Sequence, residues 1–111
     1  MTEERRILVA ADAGVSVRSV GDVNDAIGAC AGADGLLLTG SDLGRDFFDL
    51  RTGLAGELMQ KLVNYRIRAA IVVPDPAAHG ERFAELAHEH ARHAAIRFVR
   101  TRDEAEAWLR S

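Results

Sequence analysis

The sequence predicts a single α/β domain with a mixed, mostly parallel sheet and helices packed around it. Short apolar runs, typical of buried strands, alternate with longer segments whose apolar residues recur at helical spacing. The 111 residues are enough for one hydrophobic core and too few for two. Hydrophobic residues make up 48% and charged residues 28% of the chain, which is a globular and not a disordered composition. We therefore expect one domain over residues 1–111.

The chain opens with two predicted strands and a helix. Residues 6–11 are apolar and stop at a turn cluster over 12–14, and residues 15–20 alternate apolar and polar side chains. Because only three residues separate the two runs, we expect an antiparallel hairpin. From Gly21 the apolar residues fall three and four apart as far as Cys30, which predicts a helix with a buried thiol.

Strands and helices alternate through the rest of the chain. Residues 35–40 form an apolar run flanked by glycines, typical of a strand buried on both faces. The longest helix candidate covers 51–66, and strands at 67–73 and 96–100 enclose a helix over about 80–92.

A capping box opens the last predicted helix. Thr101 is followed three residues later by Glu104, so their side chains can satisfy backbone N–H groups of the first turn. The helix would bury Ala105, Trp108 and Leu109. The predicted order is therefore β-β-α-β-α-β-α-β-α, which demands right-handed crossovers after the hairpin.

Charge and composition exclude several classes of partner. The net charge is −3, so no basic field exists to hold a nucleic-acid backbone. No apolar run has the length of a membrane helix, and the first residues do not have the pattern of a signal peptide. One cysteine cannot build a disulfide framework, so we expect a cytoplasmic protein. Thirteen arginines against one lysine indicate a GC-rich genome, so arginine abundance is not taken as a binding signal.

A central string carries a family resemblance. It reads DFFDLRTGLAGE over residues 46–57, followed by QK at 60–61, NYR at 64–66 and AIV at 70–72. The string resembles the bacterial domain-of-unknown-function family 4180, and the similarity covers nearly the whole chain. The family implies a fold and no activity.

The order of elements also resembles STAS domains, the sulfate-transporter and anti-sigma-factor-antagonist type. Their signature is an Asp-Ser-Ser-Gly-like string that opens the second helix, and here residues 49–53 read Asp-Leu-Arg-Thr-Gly. In the STAS switch proteins a partner kinase phosphorylates a serine of that string. The resemblance thus implies a STAS-like interaction or regulatory module, with Thr52 as the counterpart of the phosphorylated serine.

Polar residues gather where the predicted strands end. In open α/β sheets ligands bind beyond the carboxyl ends of the strands, and an arginine such as Arg51 can hold a phosphate or carboxylate. In the structural alternative, Asp49 or Thr52 caps the helix and glycines let it pack against the sheet. The candidate site residues at this edge are Ser41, Asp49, Arg51, Thr52, Gly53 and Asp75.

Three polar residues extend this candidate surface along the long helix. Glu57, Lys61 and Asn64 lie four and three residues apart, on one helix face. They predict either a patch for a partner or an acid/base pair, whereas the alternative is a solvated face with one helical ion pair. The wide apolar arc of the same helix leaves room for a homodimer interface.

The histidines and other reactive side chains predict no metal site and no cofactor. A zinc-protease helix needs two histidines four residues apart with a glutamate after the first, and residues 88–93 do not supply that spacing. The serines lack the surroundings of a nucleophile elbow, and no phosphate-binding glycine motif is present.

Two function classes remain from the sequence. The first is a non-enzymatic interaction or regulatory module that binds a protein partner, or a second copy of itself, through the surface around the start of the second long helix. The alternative is a small enzyme or ligand-binding protein that holds an anionic small molecule in the crevice near Arg51. A structure in which Arg51 forms an internal salt bridge would count against this alternative.

Overall fold

Four short strands form a parallel sheet in the computed structural model, which describes residues 5–111. They lie side by side in chain order, so each strand pairs with the one that follows it. The strands are β1 (Ile7–Val9), β2 (Gly35–Thr39), β3 (Arg68–Val72) and β4 (Ile96–Val99). The α/β class predicted from the sequence is confirmed.

Six helices and three 3-10 turns connect and cover the strands of the described residues. The helices are α1 (Ala10–Ala13), α2 (Val20–Ala29), α3 (Arg45–Phe48), α4 (Leu54–Asn64), α5 (Glu81–Glu89) and α6 (Arg102–Leu109). The 3-10 turns are the 40–42 turn (Gly40–Asp42), the 50–52 turn (Leu50–Thr52) and the 76–79 turn (Pro76–His79). None of the helices in the described part of the chain has the length and apolar character of a membrane span.

The two faces of the sheet are covered unequally. Helices α2, α4 and α5 pack on one face, over the larger core cluster, which contains Leu36 and Leu38 of β2. Helix α6 packs on the other face, where Leu37 meets Leu109. Alternate residues of a strand point to opposite faces, which is why neighbouring leucines of β2 belong to different clusters. Gly35 lets α6 approach, because a Cβ at that position would lie 2.9 Å from Leu109 Cδ2.

The predicted hairpin is wrong. Residues 15–20 do not form a strand, and their one link resembling a sheet is a parallel bridge between Val17 and Leu43. Val17 is fully buried, but Val20 is 57% exposed and already begins α2. The alternating pattern therefore supplies only one fully buried side chain, Val17. One such side chain does not hold a strand against the sheet. The sheet is consequently parallel throughout and not mixed.

The other predicted elements form, with shifted ends. The helix predicted over 51–66 begins at Leu54, because Gly53 adopts a left-handed φ of 79° that ends the 50–52 turn. The loop before it contains the short helix α3. The predicted N-cap of the last helix is confirmed, since Thr101 Oγ1 accepts a hydrogen bond of 3.2 Å from Glu104 N–H.

Candidate functional site

A groove opens beyond the carboxyl ends of β2 and β3, between residues 45–51 and residues 78–83. It encloses about 710 Å³. A second depression of about 490 Å³ continues it along α5, and the two share Leu50, Arg51 and Arg82 in their walls. We call the two together the strand-end groove. Parallel crossovers create it, because they bring the segments after neighbouring strands to one edge of the sheet.

One wall of the strand-end groove is aromatic. The Phe48 ring stacks on the His79 ring with their centroids 3.8 Å apart and their planes within 10°. Phe83 meets Phe48 edge to face at 5.0 Å. Behind them Phe47 is fully buried, 6.3 Å from Phe83. This stack fixes α3 against the 76–79 turn and the start of α5.

Three arginines provide the positive charge of the groove. Arg45 and Arg51 lie on the α3 side and Arg82 on the α5 side. Within residues 5–111, neither Arg45 nor Arg82 forms an ion pair. No carboxylate of the described residues therefore competes with an anionic group for these two guanidinium groups.

Arg51 is already engaged with Asp49. Its Nε donates to Asp49 Oδ1 at 3.0 Å and its Nη2 to Asp49 Oδ2 at 3.1 Å, while the Arg51 backbone N–H also donates to Oδ1. These hydrogen bonds hold the pKa of the Asp49 carboxyl below its ordinary value and raise the pKa of Arg51. Asp49 is consequently ionised at neutral pH and unsuited to act as a general acid. The pair lies at the surface, where such bridges contribute little to stability.

Thr52 does not point into the strand-end groove. Its hydroxyl donates toward the backbone oxygens of Asp46 at 2.6 Å and Asp49 at 2.8 Å, and accepts from the N–H of Leu54 at 3.3 Å. Gly53 has open space where a Cβ would be, so its left-handed φ, and not close packing, requires glycine. Asp49 therefore caps the 50–52 turn, and Thr52 bonds the first N–H of α4, which are contacts of the kind that the structural alternative expects.

The three polar residues of α4 lie outside the groove walls. Glu57 and Lys61 are half-buried and Asn64 is exposed. In the part of the chain that the structure describes, Glu57 and Lys61 do not form the expected helical ion pair. The structure thus separates these residues from Asp49 and Arg51, with which they were grouped on sequence.

Ser41 belongs to a different cluster, at the end of β2. Its Oγ lies 2.9 Å from Thr39 Oγ1, and that threonine donates to Asp42 Oδ2 at 3.1 Å. Asp42 Oδ2 also accepts the Thr39 N–H at 2.8 Å, which closes a capping box over the 40–42 turn. Asp42 is only 7% exposed. This cluster satisfies the backbone of the turn and leaves Ser41 at its surface.

Asp75 lies in neither of these places. It follows β3 and lines a separate cavity at the β4 edge of the sheet. The predicted site is thus divided into four regions, and only Asp49 and Arg51 meet in the strand-end groove.

Sequence reasoning missed Arg45, His79 and Arg82 as site residues. Helix α4 and strand β3 separate Arg45 from His79 and Arg82 along the chain, and the packing of Phe48 on His79 brings the two segments together. The adjacent Phe47 and Phe48 after a strand were the one signal, because paired aromatics in a loop need a partner surface.

His93 and Cys30 have structural surroundings. His93 Nδ1 accepts the N–H groups of Ala95 and Ile96 at 3.0 and 3.1 Å, and so shapes the turn before β4. No group of three or more potential metal ligands occurs among residues 5–111. Cys30 is 3% exposed, and burial raises the pKa of its thiol.

Comparison with known proteins identifies one family. A family model described as "Domain of unknown function (DUF4180)" matches residues 2–109. No curated protein and no solved structure matches the chain.

Proposed function

Because the chain belongs to the DUF4180 family, whose description gives no activity, we propose its function from the geometry of the strand-end groove. The proposal is a non-enzymatic interaction module that binds an acidic segment of a partner protein in this groove. It keeps the kind of function expected from the sequence and moves the binding surface from the polar face of α4 to residues 45–51 and 78–89.

The observation that carries the proposal is a pair of arginines beside an aromatic wall, with no ion-pair partner in the part of the chain that the structure describes. Arg45 and Arg82 border the groove without ion-pair partners among residues 5–111, next to the stacked rings of Phe48 and His79. An arginine binds a carboxylate through two parallel hydrogen bonds, and arginines and aromatic residues are enriched where interfaces gain most of their affinity. Three arginines against the carboxylates of Asp49 and Glu81 leave this part of the groove with an excess of one positive charge, in a chain whose net charge is −3.

The shape of the groove favours an extended segment as its occupant. The groove continues from the arginines along α5 to Glu85 and Glu89. The end of the groove beyond Arg82 is therefore acidic. A segment that places acidic residues between Arg45 and Arg82, and a basic or neutral residue near Glu89, matches the groove along its length.

Thr52 supports the STAS-like form of the proposal only indirectly. Its hydroxyl is the hydrogen-bond donor that ties the 50–52 turn to α3, beside the groove. A phosphate there would remove this donor and add about −1.5 to −2 charges next to Asp49. Phosphorylation would thus act by opening the turn and changing the groove wall.

The alternative, an anionic small molecule held by Arg51, is disfavoured. Arg51 directs its Nε and Nη2 groups at the Asp49 carboxylate. An anion that binds this side of the guanidinium through two parallel hydrogen bonds would have to displace a carboxylate held two residues away in the same chain.

Selection of peptides tests the proposal without a known partner. A library of random short peptides is selected on the wild-type chain, and the enriched peptides are measured by fluorescence anisotropy. We expect them to be rich in Asp and Glu, and to bind the double variant Arg45→Glu/Arg82→Glu roughly tenfold or more weakly, since each change removes a charge-assisted contact.

A matched double variant separates the groove from overall charge. Arg92→Glu/Arg110→Glu makes the same change in net charge at two exposed arginines that do not line the groove. It should bind the selected peptides within about twofold of wild type. Equal losses in both double variants, or enrichment of peptides without acidic residues, would contradict the proposal.

A further inference from the structure

A second cavity lies at the free edge of the sheet, beside β4. It encloses about 280 Å³ between the 76–79 turn, α5 and the end of β4. Its floor is apolar and well covered, with Val73, Ala87 and Phe98 only 2%, 5% and 7% exposed. Alanines on α5 and in the 76–79 turn keep the walls short, which leaves space for a small apolar group.

Two side chains of opposite charge stand at the rim of this cavity. Arg100 Nη1 donates to the backbone oxygen of Pro74 at 3.1 Å, which anchors the guanidinium at the mouth. Asp75 lines the same mouth, and its side chain does not cap the turn that it begins. Among residues 5–111, these two groups form no salt bridge with each other or with a third residue.

From this arrangement we infer that the β4-edge cavity binds a free α-amino acid with a short aliphatic side chain. The carboxylate of the ligand accepts from the N–H groups of Arg100 that do not face Pro74. Its ammonium donates to the Asp75 carboxylate, and its side chain lies on Val73, Ala87 and Phe98. A zwitterion satisfies both rim charges at once, whereas a simple acid leaves Asp75 facing a second anion.

The inference goes beyond the proposed function and concerns different residues. The cavity and the strand-end groove have no lining residue in common, and the 76–79 turn links them. Pro76 and Ala77 line the cavity, and Ala78 and His79 line the groove. A ligand in the cavity therefore contacts the same turn that presents His79 to the groove.

Titration with L-valine tests the site on the full chain. Isothermal titration and amide chemical shifts are recorded with L-valine and with isovalerate, which keeps the carboxylate and apolar group but lacks the ammonium. We expect L-valine to bind, with shifts concentrated at Val73–Ala77 and Phe98–Arg100, and to bind more tightly than isovalerate.

Two conservative variants assign the rim charges. Asp75→Asn should weaken L-valine roughly tenfold and leave isovalerate unchanged or improved, whereas Arg100→Gln should weaken both by a similar factor. Asp12→Asn and Arg110→Gln, at exposed positions outside the cavity, should change neither. Circular dichroism verifies that each variant is folded.

The inference is overturned if L-valine produces no saturable shifts, if its shifts lie away from the cavity, or if the Asp75 and Arg100 variants bind it as wild type does. None of these results bears on peptide binding in the strand-end groove, which is measured with separate variants.

Discussion

Thr52 joins three parts of the groove wall through one side chain. Its hydroxyl donates toward the carbonyl oxygens of Asp46 and Asp49 and accepts from the N–H of Leu54. It therefore links the end of α3, the 50–52 turn and the first residue of α4. The Asp49 oxygen also accepts the Thr52 backbone N–H at 3.0 Å, and the hydroxyl adds a contact that ties the Asp46 oxygen to the same turn.

Replacement of Thr52 should consequently lower stability. Thr52→Ala removes these hydrogen bonds, and we expect the free energy of unfolding to fall by about 1 kcal/mol. Thr52→Ser keeps the hydroxyl and should retain most of the stability, whereas Thr52→Glu should lose at least as much as alanine. Urea denaturation of the three variants measures the difference, and an alanine variant as stable as wild type would show that the hydroxyl does not hold the turn.

At the scale of elements, α4 is bounded at both ends by left-handed residues. Gly53 has a φ of 79° before the helix, and Arg66 has a φ of 58° after it. The N–H of Arg66 donates to the Val63 oxygen at 3.1 Å, and that of Ile67 donates to the Leu62 oxygen at 2.9 Å, which is a Schellman motif. Glycine is the usual residue at the position of Arg66, so the arginine is strained there.

Relief of this strain should stabilise the chain. Arg66→Gly keeps both hydrogen bonds and removes the left-handed penalty, against a smaller gain of freedom in the unfolded chain. We expect an increase of about 0.5–1 kcal/mol in the free energy of unfolding. Tyr65→Gly is the control, because Tyr65 has an ordinary φ of −94° and should lose stability on the same change. A loss of stability in Arg66→Gly would mean that the arginine side chain makes a larger contribution than the strain.

The spacing of hydrophobic residues predicted most of the helices and strands, because most of them bury the same face along their whole length. Helix α4 buries residues such as Leu54, Leu58 and Leu62, and their spacing is visible in the sequence. Residues 15–20 show the limit of this reasoning. Their alternation of apolar and polar residues is typical of a strand, but only Val17 is deeply buried. Such a segment pairs with the sheet only where the core buries more than one of its side chains.

At the scale of the whole molecule, four parallel strands in chain order place successive loops side by side at one edge. The alternation of strands and helices predicted mostly parallel pairing, whereas the order of the strands within the sheet was not predicted from the sequence. The parallel arrangement explains why Asp49 and Arg51, which follow β2, and Asp75, which follows β3, lie at the same end of the sheet.

The separation of these residues into two sites was not predictable from the sequence. It depends on the stack of Phe48 on His79, which joins α3 to the 76–79 turn and leaves Asp75 on the far side of that turn. Sequence spacing contains no information about such a contact. Arg45 and Arg82 were not predicted as site residues for the same reason. In the sequence each is an ordinary arginine, and only the packing of the chain places both around one groove.

The most direct measurement of the central claim is an amide chemical-shift titration of the isotope-labelled chain with an acidic peptide from the selection. We expect the shifts to concentrate at residues 45–51 and 78–86, on both walls of the strand-end groove. We also expect them to disappear in Arg45→Glu/Arg82→Glu. Shifts centred instead on Glu57, Lys61 and Asn64 would contradict this claim, and would return the binding surface to the polar face of α4.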